Sequence, residues 1–249
     1  AATEVTTCAL PTFFRGEVVF ILFLHYFCIS INSDKMPMKW EQLISNKRLG
    51  LEELHLKRKD DRTEFQRDYD RLIFSAPFRR LQNKTQVFPL PGNIFVHNRL
   101  THSLEVSSVG RSLGNDCARM LIEKHPELQD THVTELGAIV SAACLAHDLG
   151  NPPFGHSGEE AIGTFFSEGN GQWLQTYRDE LDPAGLSEKQ WNDLIHFEGN
   201  ANTFRLLTHH FNGRRPGGFV MTYTTLASIV KYPYSSDRKS TRLNSSHGK

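Results

Sequence analysis

The chain has 249 residues, 39% hydrophobic and 22% charged, enough to bury a core and too apolar for a disordered protein. Lys and Arg number 28 and Asp and Glu number 28, so no chain-wide field attracts nucleic acid or anionic lipid, though local basic clusters still bind phosphate. The four cysteines, Cys8, Cys28, Cys117 and Cys144, form no C-x-x-C pair and support neither a zinc ribbon nor a disulfide framework, while twelve histidines hint at metal or acid–base chemistry.

The first feature along the chain is the apolar run Val18 to Ile31. At about 14 residues it falls short of the roughly 20 that a membrane-spanning helix needs. Arg15 alone precedes it as a basic residue, and no small-residue cleavage site follows, which argues against a signal peptide. Helical patterning begins only after Met38, so residues 1–35 read as translated sequence upstream of a start at Met36 or Met38. Past the basic stretch Lys57-Arg58-Lys59, a helix is predicted from Asp60 to Leu81. Gln86 to Asn98, with its Pro and Gly residues, reads as an ordered loop or short hairpin.

Arg99 to Glu123 carries Leu100, Leu104, Val109, Leu113, Cys117, Met120 and Leu121 at helical spacing, a predicted buried stripe. Gly110 and Gly114 in the same segment allow close packing. Thr134 is the predicted N-cap of a following helix striped by Leu136, Ile139, Val140, Ala143 and Cys144. Pro152 and Pro153 end that helix near Gly150. Ser157 to Ser167 and Phe197 to His209 read as two more helices. From Ser235 the sequence is polar and Ser-rich, which makes residues 237–249 a disordered tail and leaves 36–236 as the folded part. Strand signals are sparse. The fold class is therefore all-α, a packed helical bundle.

Chemistry concentrates where the striped helix ends. His147 follows Ala143 and Cys144 by one turn and shares their face, with Asp148 about 100° further round. A buried carboxylate needs a cation, a metal or several donors, and the negative end of the helix dipole also favours positive charge there. His102 opens another helix, one turn from Arg99. A lone His or His-Asp pair is ordinary helix-end polarity; the surrounding sequence carries the weight. His156 and Glu159 stand at i, i+3 spacing, so a helix starting near His156 places them on one face, where the carboxylate orients the imidazole for proton transfer.

The segments NRLTHSLEV and HDLGNPPFGH resemble the HD-domain metal-dependent phosphohydrolases. Ser75 to Leu90, His147 to Ile162, Phe197 to Leu207 and Met221 to Tyr234, four blocks in order, resemble within them the deoxyguanosine triphosphate triphosphohydrolases, or dGTPases. The resemblance implies the N-terminal part of an all-α HD-domain bundle, truncated on its C-terminal side. It implies a divalent ion held by His102, His147 and Asp148, with a fourth ligand, an Asp, expected downstream of the KYPY block. Mn2+ or Mg2+ leads as the metal, with Fe2+, Co2+ or Zn2+ also suited to nitrogen and oxygen donors and Ca2+ less so. The implied reaction is attack of a metal-activated water on the α-phosphorus of a dNTP, releasing deoxynucleoside and inorganic triphosphate. His156 and Glu159 match the family's catalytic pair, and Gln86 resembles a base-contacting Gln in relatives. As cations for the triphosphate, Arg99 leads, with Arg79, Arg80 and Lys84 as a second group; Asn200 and Glu198 are expected at the pocket or in a helix cap.

The implied setting is a cytoplasmic homo-oligomer, a hexamer in relatives, acting on dGTP or other dNTPs, with single-stranded DNA as a further partner and no membrane. Two alternatives stand beside it. One is another HD-type nucleotidase or phosphodiesterase, which would release orthophosphate. The other is a non-catalytic regulatory or single-stranded nucleic-acid-binding module, favoured by the missing fourth ligand. It would use the basic clusters at 57–59 and 79–80, with Phe65, Tyr69 and Phe78 for stacking.

Overall fold

A computed structural model describes residues 40–52, 61–85, 98–177, 185–213 and 216–231. The Val18–Ile31 run, Met36 and Met38, the 57–59 cluster, Gln86 with its loop, and the 237–249 tail lie outside the described residues. The chain divides into two compact units, Ala1–Leu43 and Ile44–Lys249. The described part of the first is one helical turn, Trp40–Leu43. The second is helical, and its only β pairing among the described residues is the isolated bridge between Arg48 and Thr222. Its helices are α1 (Glu64–Ile73), α2 (Ala76–Arg80), α3 (Arg99–Lys124), α4 (Leu136–Ala146), α5 (His156–Ser167), α6 (Glu188–Ile195), α7 (Gly199–Thr208) and α8 (Tyr223–Ile229).

The helix predicted over Asp60 to Leu81 is two helices. Thr63 caps α1 in a capping box with Gln66. Pro77 has no N–H to continue α1 past Ile73, so the chain stops, is capped again by Ser75, and restarts as α2. A 3-10 turn, Leu81–Asn83, follows. The predicted cap at Thr134 is also corrected. Thr131 caps a 3-10 turn over His132–Glu135, and α4 begins only at Leu136. Thr134 instead donates its hydroxyl to the Thr131 carbonyl. Helix α6 has no counterpart among the predicted helices, although Ser187 and Gln190 spell its capping box.

The largest difference concerns α3. Its buried residues are Arg99, Ser103, Ser107, Gly110, Gly114, Ala118 and Leu121, whereas Val109, Leu113 and Met120 are exposed. The small residues let α3 lie tightly along α4: a Cβ on Gly114 would stand 2.8 Å from the Gly137 Cα and from the Leu136 carbonyl oxygen. Close backbone approach therefore decides which face is buried along the middle of α3, and Val109, Leu113 and Met120 point away, whereas Leu100 and Leu104 pack against the core and Leu121 is buried as the spacing predicts. Ser107 completes the seam, its hydroxyl 2.8 Å from the Ser141 hydroxyl.

Helix α4 is the central element, buried from Ile139 through Ala146. Its last turn sits in the main core with Leu72, Phe78, Leu81, Leu149, Leu207, Met221 and Leu226. That core lies directly beneath the His147-Asp148 turn, so the turn stands on a packed floor. Phe65 and Phe78 are buried as well, which removes them as stacking platforms for nucleic acid. A second anchor joins distant segments: buried Arg48 donates to Asp68 Oδ1 at 2.6 Å, to the Val220 carbonyl at 2.6 Å and to the Glu64 carbonyl at 2.6 Å.

Candidate metal centre and proton-transfer pair

Helix α4 ends at Ala146 and the chain makes a tight turn over residues 147–150. His147 Nδ1 stands 2.6 Å from the Cys144 carbonyl oxygen. A carbonyl only accepts, so Nδ1 carries a proton, and in the neutral imidazole Nε2 is the nitrogen left with a lone pair for a ligand. Asp148 is nearly buried and turns Oδ1 towards His147, 3.5 Å from its Nε2. His102, in the first turn of α3, brings its ring centroid to 5.4 Å from that of His147. One donor atom from each of His102, His147 and Asp148 lies within 4.8 Å of the others. Two donors on one ion at 2.0–2.2 Å stand at most about 4.4 Å apart. Donors on one ion that are not opposite each other stand about 3–4 Å apart, so side-chain movement of about an ångström lets the three share a cation. Two imidazole nitrogens and a carboxylate oxygen form a donor set that suits a divalent transition ion.

Opposing influences act on Asp148. Burial, the largest, pushes its carboxyl upward; the His147 charge, then the Arg99 charge and hydrogen bond, and then His102 together outweigh it and hold the pKa below the usual carboxylate value. Arg99, only 3% exposed, places Nη1 2.7 Å from Asp148 Oδ2. Asn151 donates its amide to Asp148 Oδ1. Arg99 is therefore a buried partner of the candidate metal ligand, not a solvent-facing cation.

Lys84 folds inward, with Nζ 3.1 Å from the Asn151 carbonyl oxygen and 3.5 Å from that of Leu149. Burial and then the Arg99 charge pull its ammonium below the usual lysine value, against the opposite pull of Asp148. It pins the turn that follows the His-Asp pair. Arg79 and Arg80 remain exposed in the last turn of α2.

The turn packs on α7. Gly150 donates to the buried Thr203 hydroxyl at 2.9 Å, and a Cβ at residue 150 would stand 2.1 Å from the Thr203 nitrogen. Asn202 donates to the Gly150 carbonyl at 2.9 Å. The chain then reverses through Phe154 (φ 66°) and Gly155 (φ 58°) into α5. For a bulky residue such as Phe154 this left-handed conformation costs about 1–3 kcal/mol, a strain typical of functional turns.

Helix α5 begins at His156. His156 Nδ1 donates to Glu159 Oε2 at 2.8 Å, with the imidazole 97% exposed and the carboxylate 15%. The second oxygen, Oε1, accepts the Gly199 N–H at 2.7 Å, the first amide of α7. Glu159 is thereby fixed at both oxygens, and His156 is held by Nδ1 with Nε2 open to solvent. Glu198 caps α7 through the Ala201 N–H at 2.7 Å and takes the Asn200 amide at 2.7 Å. The pair serves the cap that sets Gly199, rather than presenting the Asn200 amide outward. Gly199 is a junction: a Cβ there would meet Asn151 Oδ1 at 1.9 Å and Glu159 Oε1 at 3.0 Å.

The structure thus gathers His102, His147 and Asp148 in one cluster and pairs His156 with Glu159. Sequence reasoning missed Asn151, Thr203 and Gly199 as supports; the Asn-Pro-Pro and Glu-Gly-Asn turns were the available signal. Among the described residues, no helix is long and apolar enough to cross a membrane.

A family profile described as the HD domain matches residues 99–190. A deoxyguanosinetriphosphate triphosphohydrolase-like protein of Synechocystis sp. is 49% identical over 199 residues, 80% of this chain and 43% of the relative. One from Pseudomonas aeruginosa (strain LESB58) is 48% identical over 200 residues, covering 80% of this chain and 42% of the relative. One from Listeria monocytogenes serovar 1/2a is 39% identical over 202 residues, 80% and 43% of the two chains. The chain spans about two fifths of the length of these curated relatives. With the helical architecture, these matches make the chain similar to the HD-domain family and, over four fifths of its own length, to the deoxyguanosinetriphosphate triphosphohydrolase-like proteins.

Proposed function

We propose that this chain carries the metal and proton-transfer residues of a dNTP triphosphohydrolase, acting on dGTP or related dNTPs in a cytoplasmic homo-oligomer. The observation that supports it most is the meeting of His102, His147 and Asp148 donors within 4.8 Å. These residues would hold a divalent ion, Mn2+ or Mg2+ first, which supplies a Lewis acid for a phosphoryl oxygen and lowers the pKa of a bound water. Hydrolysis adds water at the α-phosphorus and breaks its bond to the 5′ oxygen, so a proton must leave the water and one must reach the departing alkoxide. His156 is built for that transfer: Glu159 holds Nδ1–H, leaving Nε2 as the exchanging atom in an exposed position. Arg79 supplies an exposed cation for the polyphosphate tail, and Gln86 an amide for the base edge.

Incubation with dGTP and Mn2+ tests the activity. Inorganic triphosphate with deoxyguanosine is the expected product pair; orthophosphate would instead mark a nucleotidase. His156→Ala should retain Mn2+ binding while its turnover falls by about 10²–10⁴-fold, the usual contribution of a positioned acid–base group. Equal turnover in the variant and its parent would remove His156 from the chemistry.

A further inference from the structure

We infer that Arg99 is a positioning residue that makes Asp148 a one-oxygen ligand and so biases the centre against Ca2+; the inference rests on the metal-site reading above. Both carboxylate oxygens of Asp148 are assigned before any ion arrives. Oδ2 is held by Arg99 Nη1 at 2.7 Å, with both side chains nearly out of solvent. Oδ1 is the oxygen that faces His147 Nε2, at 3.5 Å, and it also accepts the Asn151 amide. Arg99 cannot swing away easily. Its backbone N–H donates to the Lys84 carbonyl at 3.0 Å, and its side chain is on the buried face of α3. Asn98 caps that helix through the Thr101 N–H at 2.9 Å, which fixes the register of the turn bearing both Arg99 and His102.

An ion in the cluster thus meets Oδ1, with Oδ2 neutralised by a guanidinium. Ca2+ gathers six to eight oxygens and readily takes a carboxylate through both of them, whereas smaller ions accept fewer, closer ligands. Blocking Oδ2 removes one oxygen that Ca2+ would use. A guanidinium so placed also repels any divalent ion, but equally for Mn2+ and Ca2+. The ratio of the two dissociation constants therefore isolates the denticity effect from simple charge.

Titration of the chain with Mn2+ and Ca2+, separately, provides the test. Arg99→Met keeps the apolar stem and removes the donor; it should shift the Kd ratio about tenfold towards Ca2+, at the lower end of what altered support of a ligand does to metal affinity. Arg99→Lys restores a cation on Oδ2 and should return the ratio to near the parent's. An unmoved ratio in Arg99→Met, with weakened binding of inorganic triphosphate alone, would show that Arg99 contacts phosphate and not the ligand. Should Arg99→Met lose its helical circular dichroism, infrared difference spectra of the parent still decide. On adding Mn2+, the carboxylate bands that vanish in Asp148→Asn should show the wide splitting of one-oxygen coordination, and the narrow splitting of two-oxygen coordination would overturn the inference. Absence of Mn2+ binding by the parent would instead defeat the metal-site reading itself.

Discussion

Replacing His147 with alanine should abolish metal-dependent turnover while leaving the helical fold in place. The imidazole is about one-third exposed and contributes little to the core, so folding loses little. Its Nε2 is the donor oriented into the cluster, because the Cys144 carbonyl oxygen occupies Nδ1. Without it, only His102 and Asp148 remain of the three donors brought together. A metal-held reaction loses several kcal/mol of transition-state charge stabilisation, and each 1.36 kcal/mol is tenfold in rate, so a fall of roughly 10³-fold or more is expected. Steady-state assays with dGTP and Mn2+, paired with circular dichroism, check this. A folded variant within tenfold of its parent would take His147 out of the centre.

The second large effect is on stability and lies away from the site. Asp68 is fully buried; its Oδ1 accepts Arg48 Nη1 at 2.6 Å, and Oδ2 accepts the Thr222 N–H at 3.0 Å and hydroxyl at 2.6 Å. It thus ties α1 to the residue 48 segment and to the cap of α8. Asp68→Ala leaves Arg48 buried with half its charge compensation gone, and strands the Thr222 donors. Removing one partner of a buried pair costs about 3–5 kcal/mol. The urea midpoint should fall accordingly. Replacing Arg48 and Asp68 together with apolar residues should cost less than the sum of the single changes, since the fully buried charges leave together and only the part-exposed Glu64 carboxylate, which keeps Arg67 at 3.5 Å, loses an ion-pair partner. A loss under about 1 kcal/mol for Asp68→Ala would mean that solvent reaches Arg48.

Much of the site was legible because its signals are local. Pro152 and Pro153 forbid helix past Gly150, and α4 stops four residues earlier still, at Ala146, with the His-Asp turn filling 147–150; the i, i+3 spacing of His156 and Glu159 foretold their hydrogen bond at the start of α5. The rest depends on contacts between distant segments. Nothing in the spacing of Arg99 distinguishes a phosphate-facing guanidinium from one turned onto Asp148; the closeness of α3 to the end of α4 decides it. Lys84 reads as a surface cation in sequence and becomes a staple because two carbonyls of the turn lie within its reach. On α3 the apolar periodicity of Val109, Leu113 and Met120 misled, because Ser107, Gly110 and Gly114 allow a backbone approach that bulky side chains would prevent.

The claim on which the proposed chemistry turns is that two imidazoles from separate helices bind one ion. Pulsed electron paramagnetic resonance on Mn2+ added to the chain measures it directly, through nitrogen couplings to the metal. Two coordinated imidazoles should be seen in the parent, with one coupling lost in His102→Ala and the other in His147→Ala. Bound Mn2+ with no nitrogen coupling, or a spectrum unchanged by either substitution, would contradict it.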